Sequence, residues 1–119
     1  MAKTVSPQKI KHDQDRVIYL WENVAQGDTC EPANAYAFDD PTLYMFGTVG
    51  TTPIVIALYV TPEVITTPTL FSPCTSSGVA ISLDTANTNK VVDQCGEAFK
   101  PVASAGDGMS DVDIYLVIR

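Results

Sequence analysis

The sequence has little of what catalysis and metal binding use. Its one histidine, His12, lies in a polar stretch near the amino terminus, with no apolar surroundings to desolvate or orient an imidazole. That opposes Ser/His/Asp hydrolysis, in which the ring must be held between nucleophile and acid. Cysteine occurs three times, at Cys30, Cys74 and Cys95, with no C-x-x-C pair. The spacing argues against a structural zinc site and, being odd in number, against a disulfide framework; reduced thiols in a cytoplasmic assembly environment are expected. Phosphate-cradling glycine motifs and H-E-x-x-H are absent. No apolar run is long enough to cross a bilayer, and none follows the first charges as a signal peptide requires. Neither a catalytic residue nor a cofactor is expected. Charged residues are scarce as well, at 18% against about 25% in an average soluble domain, so much of the surface must be neutral.

What is present is enough for one domain. The chain has 119 residues, 45% of them hydrophobic, which suffices for a core without metal or disulfides. A net charge of −7 opposes binding of nucleic acid or an anionic membrane by the body. The charge is unevenly placed. Residues 1–16 carry Lys3, Lys9, Lys11 and Arg16 against two acids, whereas residues 17–119 carry three basic residues against twelve acidic ones. This divides the chain into an extended N-terminal arm, 1–16, and a body, 17–119. The arm has isolated apolar residues, no sustained period and an early proline, so it is expected either to be solvated or to order on a neighbouring subunit.

The body shows strand signals and no helical period. Val17 to Val24, Ala33 to Phe38, Thr42 to Thr48, Pro53 to Val60, Val79 to Leu83, Glu97 to Ala105 and Asp111 to Arg119 read as strands. The last is the clearest, with Val112, Ile114, Leu116 and Ile118 alternating against Asp111, Asp113, Tyr115 and Val117. Pro53 to Val60 is apolar on both faces, as in a central strand or one facing another subunit. Thr61 to Ser77, with Pro62, Pro68 and Pro73, is expected to be a long loop, with room for a short edge strand at Glu63 to Ile65. Asp84 to Lys90 reads as a polar turn region. About seven strands with turns between them imply an all-β fold, an antiparallel β-sandwich or jelly-roll-like domain.

Two side-chain groups invite a functional reading. Asp107, Asp111 and Asp113 surround one turn and could hold a hard cation, although the spacing is not that of an EF-hand and a solvated hairpin is the ordinary explanation. Trp21 with Tyr19 could form a stacking platform for a sugar or base, or pack in the core.

The run Val17 to Cys30 (VIYLWENVAQGDTC) resembles the opening of small structural proteins encoded near the capsid genes of tailed bacteriophages, and Ala98 to Arg119 (AFKPVASAGDGMSDVDIYLVIR) resembles their ending. Together these runs cover about 36 of the 119 residues. The middle departs from the pattern, since Ile54 to Pro73 is rich in Thr and Pro where such proteins place a Gly-Ser-Asn-Asp-Gly turn and a Trp. The resemblance implies a non-enzymatic virion component, a capsid decoration or cement protein. It would be assembled in the host cytoplasm and located on the capsid surface. Its partners would be the major capsid protein and further copies of itself, as a trimer, with no direct contact to nucleic acid or membrane. The alternatives are a tail, head-to-tail connector or receptor-binding subunit, and a carbohydrate-binding module with an exposed Trp21. Lys3, Lys9, Lys11 and Arg16 of the arm and Pro62, Pro68 and Pro73 of the loop are the candidate partner contacts.

Overall fold

The computed structural model describes residues 2–12, 15–34, 40–61, 71–94 and 96–119. The described residues are all-β with no helix. Seven strands of four residues or more make up the frame: β2 (Gln8–His12), β3 (Val17–Val24), β6 (Thr42–Thr48), β7 (Ile54–Thr61), β11 (Thr88–Val91), β12 (Ala98–Ala105) and β13 (Asp111–Ile118). Six two-residue strands complete it: β1 (Thr4–Val5), β4 (Thr29–Cys30), β5 (Ala33–Asn34), β8 (Ser72–Pro73), β9 (Thr75–Ser76) and β10 (Val79–Ala80).

Two antiparallel sheets carry the fold. One has five strands in the order β11-β6-β13-β3-β2, the other four in the order β5-β12-β7-β8. Alternation along β13 sends Val112, Ile114, Leu116 and Ile118 inward, each fully buried. They join Val17, Tyr19, Trp21 and Val24 of β3 and Leu43 and Met45 of β6 on one inner face. Ile54, Ile56, Leu58 and Val60 of β7, with Phe99 of β12, belong to the same core cluster from the other sheet. The two inner faces therefore close on one core in a β-sandwich arrangement.

Local irregularities keep that pattern in phase. Between Trp21 and Val24 the pairing with β13 shifts, so that Glu22 and Asn23 oppose Asp113 alone. This bulge returns Val24 to the core three residues after Trp21 and leaves Glu22 and Asn23 outside. Asn23 adopts φ 57°, and its N–H donates to Asp113 Oδ1 at 2.9 Å. Gly47 stands opposite Val112 with φ 118°, and a Cβ there would lie 2.5 Å from the Asp111 carbonyl oxygen. Only glycine fits that approach. Pro101 sits in β12 beyond the two residues that β5 pairs, where β12 has become an edge and tolerates a missing N–H.

Three expectations change. The segment assigned to an arm is part of the body over its described residues: β1 pairs in parallel with β4, and β2 pairs antiparallel with β3. Within the expected polar turn at Asp84 to Lys90, β11 begins at Thr88 and pairs with β6. The strand expected over Val79 to Leu83 is shorter, with Leu83 forming a single bridge to Ile56. The continuation of Ala33–Asn34 to Phe38 and the edge strand at Glu63 to Ile65 lie outside the described residues.

Truncating a central inward side chain tests this arrangement. Leu116→Ala is expected to lower the unfolding free energy by about 2–5 kcal/mol, read as a reduced urea midpoint at unchanged slope. A loss under about 1 kcal/mol would place Leu116 outside a packed core.

Candidate interaction surface

The amino-terminal segment is held by a buried carboxylate. Asp28 is 4% exposed and sits in the turn after β3, where it accepts the N–H of Ala25 at 2.8 Å and the N–H of Lys3 at 2.9 Å. Lys3 Nζ approaches Asp28 Oδ2 at 2.6 Å and donates a second bond to the Asn23 carbonyl. Burial by itself would raise the Asp28 carboxyl; the Lys3 ammonium and the two backbone N–H groups outweigh it and hold the pKa below its ordinary value. Backbone bonds from Thr29 N to Lys3 O and from Glu31 N to Val5 O extend the clasp.

Two of the three carboxylates around the last turn, Asp107 and Asp113, are structural. Asp107 accepts from Thr52 N at 2.8 Å and Met109 N at 2.9 Å, and these bonds hold its carboxyl below the usual range. Asp113 is committed to Asn23. Among the described residues no cluster of three metal-ligating side chains occurs, so the cation reading of Asp107, Asp111 and Asp113 finds no geometry to support it. Asp93 plays a similar part, accepting from Gly78 N, Thr75 Oγ1 and Ser77 N to pin the β9–β10 hairpin.

The Trp21 platform is corrected. Trp21 is fully buried, and its Nε1–H donates to the Glu31 carbonyl at 2.8 Å. Tyr19 is buried beside it, and its hydroxyl donates to the Asn34 carbonyl. Both residues use their polar tips inside the protein, as buried aromatics with a polar handle do.

The surface that stands out is the outer side of the five-stranded sheet. Alternation places Ile18 of β3, Tyr44 and Phe46 of β6, and Tyr115 and Val117 of β13 on this side, and Ile10 of β2 joins them. These six residues line one shallow hollow of about 320 Å³. Phe46 is 40% exposed and Ile10 48%. The three rings are mutually ordered: Tyr44 and Phe46 stack with centroids 6.2 Å apart, and Tyr115 meets Phe46 edge-on at 5.7 Å. Among the described residues, no charged side chain lines the hollow. A sugar site needs convergent polar groups to fix orientation, and this surface offers area for apolar burial instead.

Charge flanks the hollow at both ends of the strands. At the start of β13 stand Asp111 and Asp113, with Glu22 beside them on β3. At the other end, Lys11, Arg16 and Arg119 gather with Asp15 around a separate polar hollow.

The candidate partner contacts divide accordingly. Lys11 and Arg16 lie at the basic end of the sheet. Lys3 is engaged with Asp28, and Lys9 lies over the Tyr19 ring at 5.8 Å, so both serve the chain's own packing. Pro73 is exposed in β8, while Pro62 and Pro68 lie outside the described residues. The aromatic trio is not apparent in the sequence because its members come from two strands far apart in it. Their shared outward parity, at Tyr44, Phe46 and Tyr115, was the available signal.

Comparison of the chain with protein-family models, curated proteins and solved structures gives no match.

Two measurements test the local chemistry. Because the folded pKa of Asp28 lies below its ordinary 3.8, the clasp stabilises fully above that value and is lost as pH falls through the folded pKa. Asp28→Asn should therefore cost roughly 1–3 kcal/mol at neutral pH, with the gap to the parent closing as pH falls below that ordinary value. A gap independent of pH contradicts the assignment. Burial pushes the Cys30 thiol up to about 12, the nearby Asp28 adding to it, and burial alone pushes Cys74 up to about 12. Both should resist an aromatic disulfide reagent in the folded protein and react on unfolding; rapid native labelling of either would show a thiol open to water.

Proposed function

We propose that this protein is a structural assembly subunit that works by protein contact, and specifically a bacteriophage capsid decoration protein. The observation that carries the reading is the apolar outer face of the five-stranded sheet. A sheet whose second face bears Ile10, Ile18, Tyr44, Phe46, Tyr115 and Val117 gains by burying that face against protein. Each fully buried side chain of this size contributes about 1.5–3 kcal/mol, so a few suffice to hold neighbouring subunits together in an assembly. The resemblance adds the specific role, and its two segments belong together in space. Val17 to Cys30 contains β3, Ala98 to Arg119 contains β12 and β13, and β3 pairs with β13 along most of their lengths.

In this reading the chain adds contact area to a shell and carries out no chemistry on it, and the acid excess of the body keeps it off the packaged nucleic acid. A tail, connector or receptor-binding subunit would use the same architecture in far fewer copies. Density-gradient fractionation of phage particles made with this chain, followed by quantitative mass spectrometry, separates these roles. Decoration predicts co-migration with filled heads in numbers comparable to the shell protein. A few copies per particle favour the tail or connector reading, and absence from particles sinks the proposal.

A further inference from the structure

We infer that the apolar face of the five-stranded sheet is a self-association surface, covered by a second copy of this chain across a two-fold axis that lies in the contact plane and runs perpendicular to the strands. The inference rests on reading this face as an interface, and the arrangement of charge around it names the occupant. Asp111 opens β13 and Arg119 directly follows its last residue, Ile118, eight residues and therefore about 27 Å from Asp111. That exceeds the screening length of about 8 Å at physiological salt several-fold, so the acidic and basic ends act as independent contacts. The acidic end carries Glu22, Asp111 and Asp113; the basic end carries Lys11, Arg16 and Arg119 around Asp15.

A partner surface of one charge sign would be attracted at one end and repelled at the other. A second copy turned end for end presents its basic end to the first copy's acidic end, and the reverse contact forms at the same time. Two-fold symmetry thus satisfies both ends with one set of residues, as an isologous interface requires. Between them the Tyr44, Phe46 and Tyr115 rings of the two copies would stack over the centre, where aromatic residues contribute most to association. Hydrogen bonding along the open edge of β2 is the weaker route to self-association. That edge displays Lys9 and Lys11 beside a bulge, the features by which sheets discourage edge pairing.

The size of the face sets the expected strength. Strands of four, seven, eight, eight and five residues, rising about 3.4 Å per residue and spaced about 4.8 Å apart, give a footprint on the order of 500 Å² per copy, below the standard size for stable complexes. The dimer should be reversible and populated at micromolar concentrations. A closed two-fold contact yields a dimer, in place of the trimer that the family resemblance implied.

Charge exchange tests this directly. Sedimentation equilibrium of the full chain at roughly 100 µM should give twice the chain mass. Glu22→Lys with Asp111→Lys makes both ends basic, and Lys11→Glu with Arg119→Glu makes both ends acidic; each double variant alone should dissociate at least tenfold more readily. An equimolar mixture of the two should restore a dimer containing one of each. Native emission from the buried Trp21 verifies that each variant is folded. A monomeric or trimeric parent, a dimer indifferent to both charge reversals, or a mixture that stays monomeric overturns the inference. A monomeric parent that still decorates heads overturns it while leaving the proposed function intact, whereas a charge-dependent dimer absent from particles does the reverse.

Discussion

Strand β13 is hydrogen-bonded along both edges, to β3 on one side and β6 on the other, and its four inward side chains are fully buried against the second sheet. Because a strand's side chains alternate strictly, satisfying the core with Val112, Ile114, Leu116 and Ile118 forces Asp111, Asp113, Tyr115 and Val117 to the opposite face. The rest of the molecule depends on this division. A slip of one residue would bury two carboxylates and expose four aliphatic side chains, so the register is strongly specified. The bulge at Glu22 and Asn23 and the glycine at 47 are the local adjustments that let β3 and β6 follow β13 without losing their own inward residues.

The same constraint produces the surface to which a function is assigned. The outward parity of β13 runs from carboxylates to Tyr115 and Val117, and its neighbours supply apolar outward residues at matching positions, so acid lies at one end and apolar surface at the centre. The base at the far end is contributed by β2 and by the residues flanking β3 and β13. The Asp28–Lys3 clasp bears on this as well. It docks the amino-terminal segment on the body just before β2 begins, and β2 brings Ile10 to the apolar hollow and Lys11 to the basic end. Charge bound by the chain's own backbone and charge on the outer sheet face therefore do different work in this chain. Asp28, Asp93 and Asp107 are spent on backbone N–H groups, while Glu22 and Asp111 remain on the outer side.

The sequence shows the long strands and hides the edges. Val17 to Val24, Thr42 to Thr48, Pro53 to Val60, Glu97 to Ala105 and Asp111 to Arg119 are visible because one parity of each is buried, and burial writes a period of two into the residues. Strand β2 has all five residues exposed, so nothing in Gln-Lys-Ile-Lys-His marks it as a strand and it passes for a solvated arm. Strand β11 is hidden for the same reason: Thr-Asn-Lys-Val is extended because its backbone pairs with β6, and strand propensity is a property of context. Trp21 could not be placed from its neighbours, since a strand residue faces the core or the solvent according to parity, and the bulge changes the parity of β3 midway. The aromatic face was illegible for a further reason. Tyr44 and Tyr115 are 71 positions apart in sequence and directly opposite in register, and only the strand order brings them together.

The central claim is that protein covers the outer face of the five-stranded sheet when this chain is assembled. Hydroxyl-radical footprinting of the dilute chain and of the assembled form addresses it residue by residue. Tyr44, Phe46 and Tyr115 should lose most of their oxidation on assembly, while Met109, 68% exposed in the turn before β13, should be oxidised to the same extent in both. Unchanged oxidation of all three rings would contradict the account.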